Sequence, residues 1–153
     1  MFTLDDLLDI AVKMETNGEA IYRKAAQEAP TPEMAQLLTW MADQEACHRQ
    51  WFLDRKSQFA QAAPPAQEGV LSDILNEMMG DKSLSLDDVD FSTITSPARL
   101  LEVFCEFETD TLLFYDFLEA FLDSPEALDG LQQIKAEETA HVTQLTQMAR
   151  DMN

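Results

Sequence analysis

The chain has 153 residues, with 29 Asp and Glu against 10 Lys and Arg, a formal net charge of −19 and a pI near 4.1. That balance argues against nucleic acid and anionic membranes as partners, because all are polyanions, while 46% hydrophobic residues suffice for the core of one domain over 1–153. Four glycines and six prolines are too few for an all-β sandwich, no apolar run approaches the roughly 18 residues of a membrane span, and acids in the opening MFTLDDLLDI stand where a secretory leader would carry Lys or Arg, which points to a cytoplasmic protein.

The first predicted helix covers 4–28, where Leu4, Leu7, Leu8, Ala11, Met14, Ile21 and Ala25 recur at helical spacing. Ala29-Pro30-Thr31-Pro32 interrupts it, and Thr31 with Pro32 suits the cap and first turn of a second helix over 32–61. Ala63-Pro64-Pro65 ends that helix. Residues 63–96 read as a connector whose stretch Val70, Leu71, Ile74, Leu75, Met78 and Met79 forms one short amphipathic helix, expected to lie outside the bundle as a lid. The acidic run from Asp81 to Asp90 reads as a solvated loop rather than a calcium loop, since Leu86 and Ser92 stand where the latter needs Gly and Glu. Ser96-Pro97 opens a helix over 97–122 and Ser124-Pro125 one over 125–151. The expected fold is therefore all-α, an antiparallel four-helix bundle of two hairpins (4–61 and 97–151) joined by a long crossover.

The hairpins repeat each other at an offset of 93 residues. METNGEAIY, from Met14, aligns with FETDTLLFY, from Phe107; Thr31-Pro32-Glu33 aligns with Ser124-Pro125-Glu126; Glu45-Ala46-Cys47-His48 aligns with Glu138-Thr139-Ala140-His141. No gap is needed, and the pattern implies an approximate two-fold axis.

His48 and His141 are the only histidines, and each follows a Glu by three residues. Three residues turn a helix by about 300° and rise about 4.5 Å, so Glu45 and His48, or Glu138 and His141, can reach one ion-sized volume. Glu15 and Glu45 are equidistant from the first turn, and Glu108 and Glu138 from the second, so each hairpin offers two Glu and one His at one height. Facing hairpins then assemble the four Glu and two His of a two-metal carboxylate site, with the ions roughly 3.5–4 Å apart. The donors suit iron, with manganese or zinc as substitutes. Two cysteines, Cys47 and Cys105, with no CxxC pair, hold neither a disulfide framework nor a four-cysteine iron.

Tyr22 and Tyr115, the only tyrosines, each follow a proposed ligand by seven residues and share its face. Each is expected to hydrogen-bond a ligand carboxylate across the bundle. Glu19 reads as a partner of Arg23 rather than a ligand, Cys47 as a small core residue, and Trp40 and Trp51 as packing residues.

These residues together resemble the rubrerythrin branch of the ferritin-like superfamily over essentially the whole chain. The resemblance implies a non-haem di-iron centre bridged by Glu45 and Glu138, with Glu15 and His48 completing one iron and Glu108 and His141 the other. It implies reduction of hydrogen peroxide, or oxidation of ferrous iron, and dimerisation; the long connector makes exchange of hairpins between chains a low-cost route to a dimer. Two departures stand out. No rubredoxin-type cysteines are present, so electrons are expected from an external donor protein. The extra Glu that rubrerythrins carry one turn from the third helix's ligand is missing, since Cys105 and Thr111 flank Glu108 at that spacing. The expected function is reduction of peroxide or oxygen at two irons; ferroxidase or iron handling, and a non-catalytic metal-binding module, are the alternatives.

Overall fold

Capping side chains set where the helices begin. Thr3 and Asp6 exchange side-chain and backbone hydrogen bonds of 2.8 and 3.1 Å, a reciprocal capping box at the start of α1, Leu4–Gln27. Thr31 accepts from the Met34 amide as α2, Pro32–Phe59, begins. Ser96 and Ser124 cap α3, Pro97–Glu119, and α4, Pro125–Asp151, each with proline in the first turn. These elements come from a computed structural model that describes residues 3–59 and 89–152. Among them the regular elements are the four long helices and a 3-10 turn, Phe91–Thr93, with no strand.

The expected bundle of two hairpins is what forms, and the helix starts agree with the sequence reading. The expected amphipathic lid (Val70 to Met79), most of the acidic run and the last two residues of the 32–61 helix lie outside the described residues. One end differs. The 97–122 helix stops at Glu119, because the amides of Ala120, Phe121 and Leu122 turn to carbonyls three residues back. This 3-10 tightening satisfies the last carbonyls and delivers the chain to Ser124.

The core runs along the bundle axis and includes Leu7, Leu8, Leu38, Met41, Phe52, Leu101, Phe104, Phe114, Leu118, Leu131 and Leu145. α1 packs on α2 and α3 on α4, and α2 also meets α4. Phe104 joins the hairpins: its ring stands edge-on to Tyr22 of α1, centroids 4.9 Å apart, and meets Phe91 of the 3-10 turn at 6.3 Å. Phe104→Ala should therefore lower stability by about 3–5 kcal/mol, read as a shift of the urea midpoint with unchanged slope. No helix of the described residues is long and apolar enough to cross a membrane.

Candidate metal centre

All six expected donors sit mid-bundle, each at most 2% exposed: Glu15 on α1, Glu45 and His48 on α2, Glu108 on α3, Glu138 and His141 on α4. They form two groups, Glu15–Glu45–His48–Glu138 and Glu45–Glu108–Glu138–His141. Within each group one donor atom per residue lies within 4.8 Å of every other. Glu45 and Glu138 belong to both. The equal-height rule for hairpins thus places the carboxylates where spacing required them.

The imidazoles turn Nδ1 inward. His48 Nδ1 is 3.0 Å from Glu138 Oε1 and 3.6 Å from Glu15 Oε2. His141 Nδ1 is 2.9 Å from Glu138 Oε2 and 3.4 Å from both Glu45 Oε1 and Glu108 Oε1. The rings stack at 6.2 Å between centroids. The tyrosines cross the bundle as expected: Tyr22 of α1 donates to Glu108 Oε1 of α3 at 2.6 Å, and Tyr115 of α3 donates to Glu15 Oε1 of α1.

Several inward atoms lack a hydrogen bond: Glu15 Oε2, Glu45 Oε1, Glu108 Oε2, Glu138 Oε2 and His141 Nδ1. The last lies close to carboxylates but is not aligned for one. Buried polar atoms are nearly always bonded, and uncompensated buried carboxylates are costly. Four oxygens and a ring nitrogen left free at one point fit cations, and oxygen with imidazole donors fits iron or manganese.

Charges confirm the crowding. Burial and the neighbouring charges of Glu138, Glu15 and Glu108 push Glu45 well above the carboxylate range. Glu138 rises through burial and the charges of Glu108 and Glu15, against the pull of the two imidazoles close to it. Burial also acts on Glu108, but the close approach of His141 and Glu138 and the Tyr22 hydrogen bond outweigh it and lower its pKa. Burial disfavours both imidazolium ions, yet their carboxylate partners raise His48 to about 11 and His141 to about 9. Both phenols are raised by burial and then by nearby carboxylates, so they remain hydrogen-bond donors.

Glu19 is not among the donors. It pairs with Arg23 at 2.6 Å and also with Arg49, which together lower its pKa against burial. Cys47 is exposed rather than in the core, because two residues carry it about 200° around α2 from the inward-facing Glu45. Trp40 is 38% exposed, but its edge lies against the His141 ring at 5.1 Å, so it covers the centre from outside.

Three residues had escaped sequence reasoning. Glu137 and Gln44 hydrogen-bond the outer nitrogens of His48 and His141. The 93-residue offset carries one onto the other and was the available signal. Gly18, one turn after Glu15, underlies Glu45: an added Cβ would stand 2.7 Å from Glu45 Oε2. In an open helix Gly→Ala gains about 1 kcal/mol. Gly18→Ala should instead displace Glu45 and weaken metal uptake by roughly tenfold, the lower end of what disturbing a ligand's support costs, measured by competition with a chelating dye.

Fold and site together define a ferritin-like helical bundle with a carboxylate–imidazole cluster at its centre. Residues 6–69, which carry Glu15, Glu45 and His48, match the family model for rubrerythrin. A solved structure from Thermotoga maritima, described as a ferritin-like diiron-carboxylate protein, is similar over 99% of this chain and 97% of its own, with a TM-score of 0.74 and 21% identity. That likeness is one of fold. No curated protein matches the chain.

Proposed function

We propose that this chain is a di-iron oxidoreductase that reduces hydrogen peroxide or oxygen with electrons from an external donor. The observation that carries this reading is the pair of donor groups sharing Glu45 and Glu138, with unbonded buried atoms aimed between them. Glu45 and Glu138 would hold both ions, Glu15 and His48 one of them, Glu108 and His141 the other. Bound iron would supply one electron per ion and hold the oxidant's oxygen atoms. Peroxide reduction takes up two electrons and two protons and releases two waters.

The protein's own contribution is positioning. Tyr22 and Tyr115 fix one oxygen of Glu108 and Glu15, which leaves the other oxygen of each facing the centre. Their raised pKa values keep the phenols protonated and the hydrogen bonds intact. The enclosing core keeps bulk water from the donors. Cys47 and Cys105 cannot form a four-cysteine iron site, so the electrons come from outside these residues.

The test is anaerobic ferrous loading, followed by oxygen and by peroxide in separate samples. A ferric near-ultraviolet band formed within one turnover supports the reading; two bound irons oxidised by neither reject it. The net charge of −19, which attracts ferrous ions, favours ferroxidase activity as a second reading. Repeated oxidation of excess ferrous iron without a donor would select it.

A further inference from the structure

The two halves of the centre offer matching donor sets but differ behind the histidines. His48 on α2 uses Nε2 to bond Glu137 Oε2 of α4 at 2.6 Å, and His141 on α4 uses Nε2 to bond Gln44 Oε1 of α2 at 2.6 Å. The contacts are reciprocal, cross the same helix pair and have equal length. Their chemistry differs: one acceptor is a carboxylate, the other a neutral amide.

A carboxylate accepts a charge-assisted hydrogen bond, stronger than an amide's. It draws the ring proton outward and enriches Nδ1, the nitrogen facing the centre, making it the better donor to a cation. Glu137 also places a negative charge beside one position only. Its side chain is 33% exposed, so solvent weakens the field without removing the hydrogen bond. The other donors divide evenly, with one tyrosine-tied Glu on each side and two Glu in common.

We propose that the two metal positions are unequal by construction, Glu137 making the His48 position the tighter and Gln44 leaving the His141 position the weaker. This rests on the two-metal reading above. The first ion enters beside His48, and the affinities differ by roughly tenfold or more, as outer partners of ligating histidines typically change metal affinity 10–100-fold.

Cobalt(II) titrated into the metal-free full chain tests it by proton NMR. With only two histidines, two paramagnetically shifted ring N–H signals report the two positions one to one. In the parent, one signal should grow with the first equivalent and the other with the second. The first should be the signal that moves in Glu137→Gln, and in that variant the two should grow together. Gln44→Glu should likewise abolish the order by strengthening the later position, which keeps the test decisive if circular dichroism shows Glu137→Gln misfolded. Parallel growth of both signals in the parent overturns the proposal while leaving the two-metal centre standing. So does a first signal that answers to Gln44→Glu alone. Failure to bind cobalt at all overturns both.

Discussion

Glu138→Ala should empty the centre of both ions. Glu138 lies in both donor groups and contacts both inward ring nitrogens, at 3.0 and 2.9 Å. Its loss leaves each position a donor short and both inward ring nitrogens without their nearest carboxylate. The fall in affinity should exceed roughly 100-fold, the upper range for residues that only support a ligand. Glu45→Ala should behave alike, whereas Glu19→Ala should retain full metal, because Glu19 is engaged by Arg23 and Arg49. Metal analysis after anaerobic loading and gel filtration gives the answer. A full site in Glu138→Ala with an empty one in Glu19→Ala would falsify the ligand assignment.

Stripping the metal should cost the fold nearly as much as it costs the chemistry. A ligand at a thousandfold excess over its Kd stabilises by about 4 kcal/mol, so two ions contribute about 8. For a chain of this size 1 kcal/mol moves Tm by about 2–4 °C, and the metal-free protein should melt about 15–30 °C lower. The gap should widen with pH. In the metal-free protein His48 titrates at about 11 and His141 at about 9, against 6.5 ordinarily. Protons are held by the folded state that the unfolded chain has released, so this stabilisation is complete below pH 6.5 and disappears as pH rises through 9 and then 11. The raised pKa values of Glu45 and Glu138 act in the same direction, from the ordinary carboxylate range upward. Metal binding requires deprotonated ligands and strengthens with pH. Scanning calorimetry of chelated and loaded samples between about pH 6 and pH 8 would show opposite slopes; parallel slopes would mean these groups do not titrate on folding.

The six donors were legible in the sequence because helix geometry is rigid. Once Thr31-Pro32 and Ser124-Pro125 mark the turns, equal distances along antiparallel helices fix equal heights, and Glu-x-x-His fixes a shared face. The tyrosines followed from the same period. Gln44 and Glu137 were not legible by that route. A polar residue beside a ligand on a helix looks solvated, and only the packing of α2 against α4 turns it toward the other helix's histidine. Gly18 resembles a mild helix weakness until Glu45 is seen above it. The early end of α3 depends on a local change in hydrogen bonding that hydrophobic Phe121 and Leu122 conceal.

The crossing tyrosines also bear on ancestry. Tyr22 secures a carboxylate of the second hairpin and Tyr115 one of the first, so neither hairpin completes its own half. A lone ancestral hairpin pairing with its twin would already have exchanged these ties and enclosed four Glu and two His. Such a twin pair is bound to identical sequences in both halves. Gene duplication and fusion remove that constraint, and Gln44 opposite Glu137 is a difference that a pair of identical hairpins cannot carry.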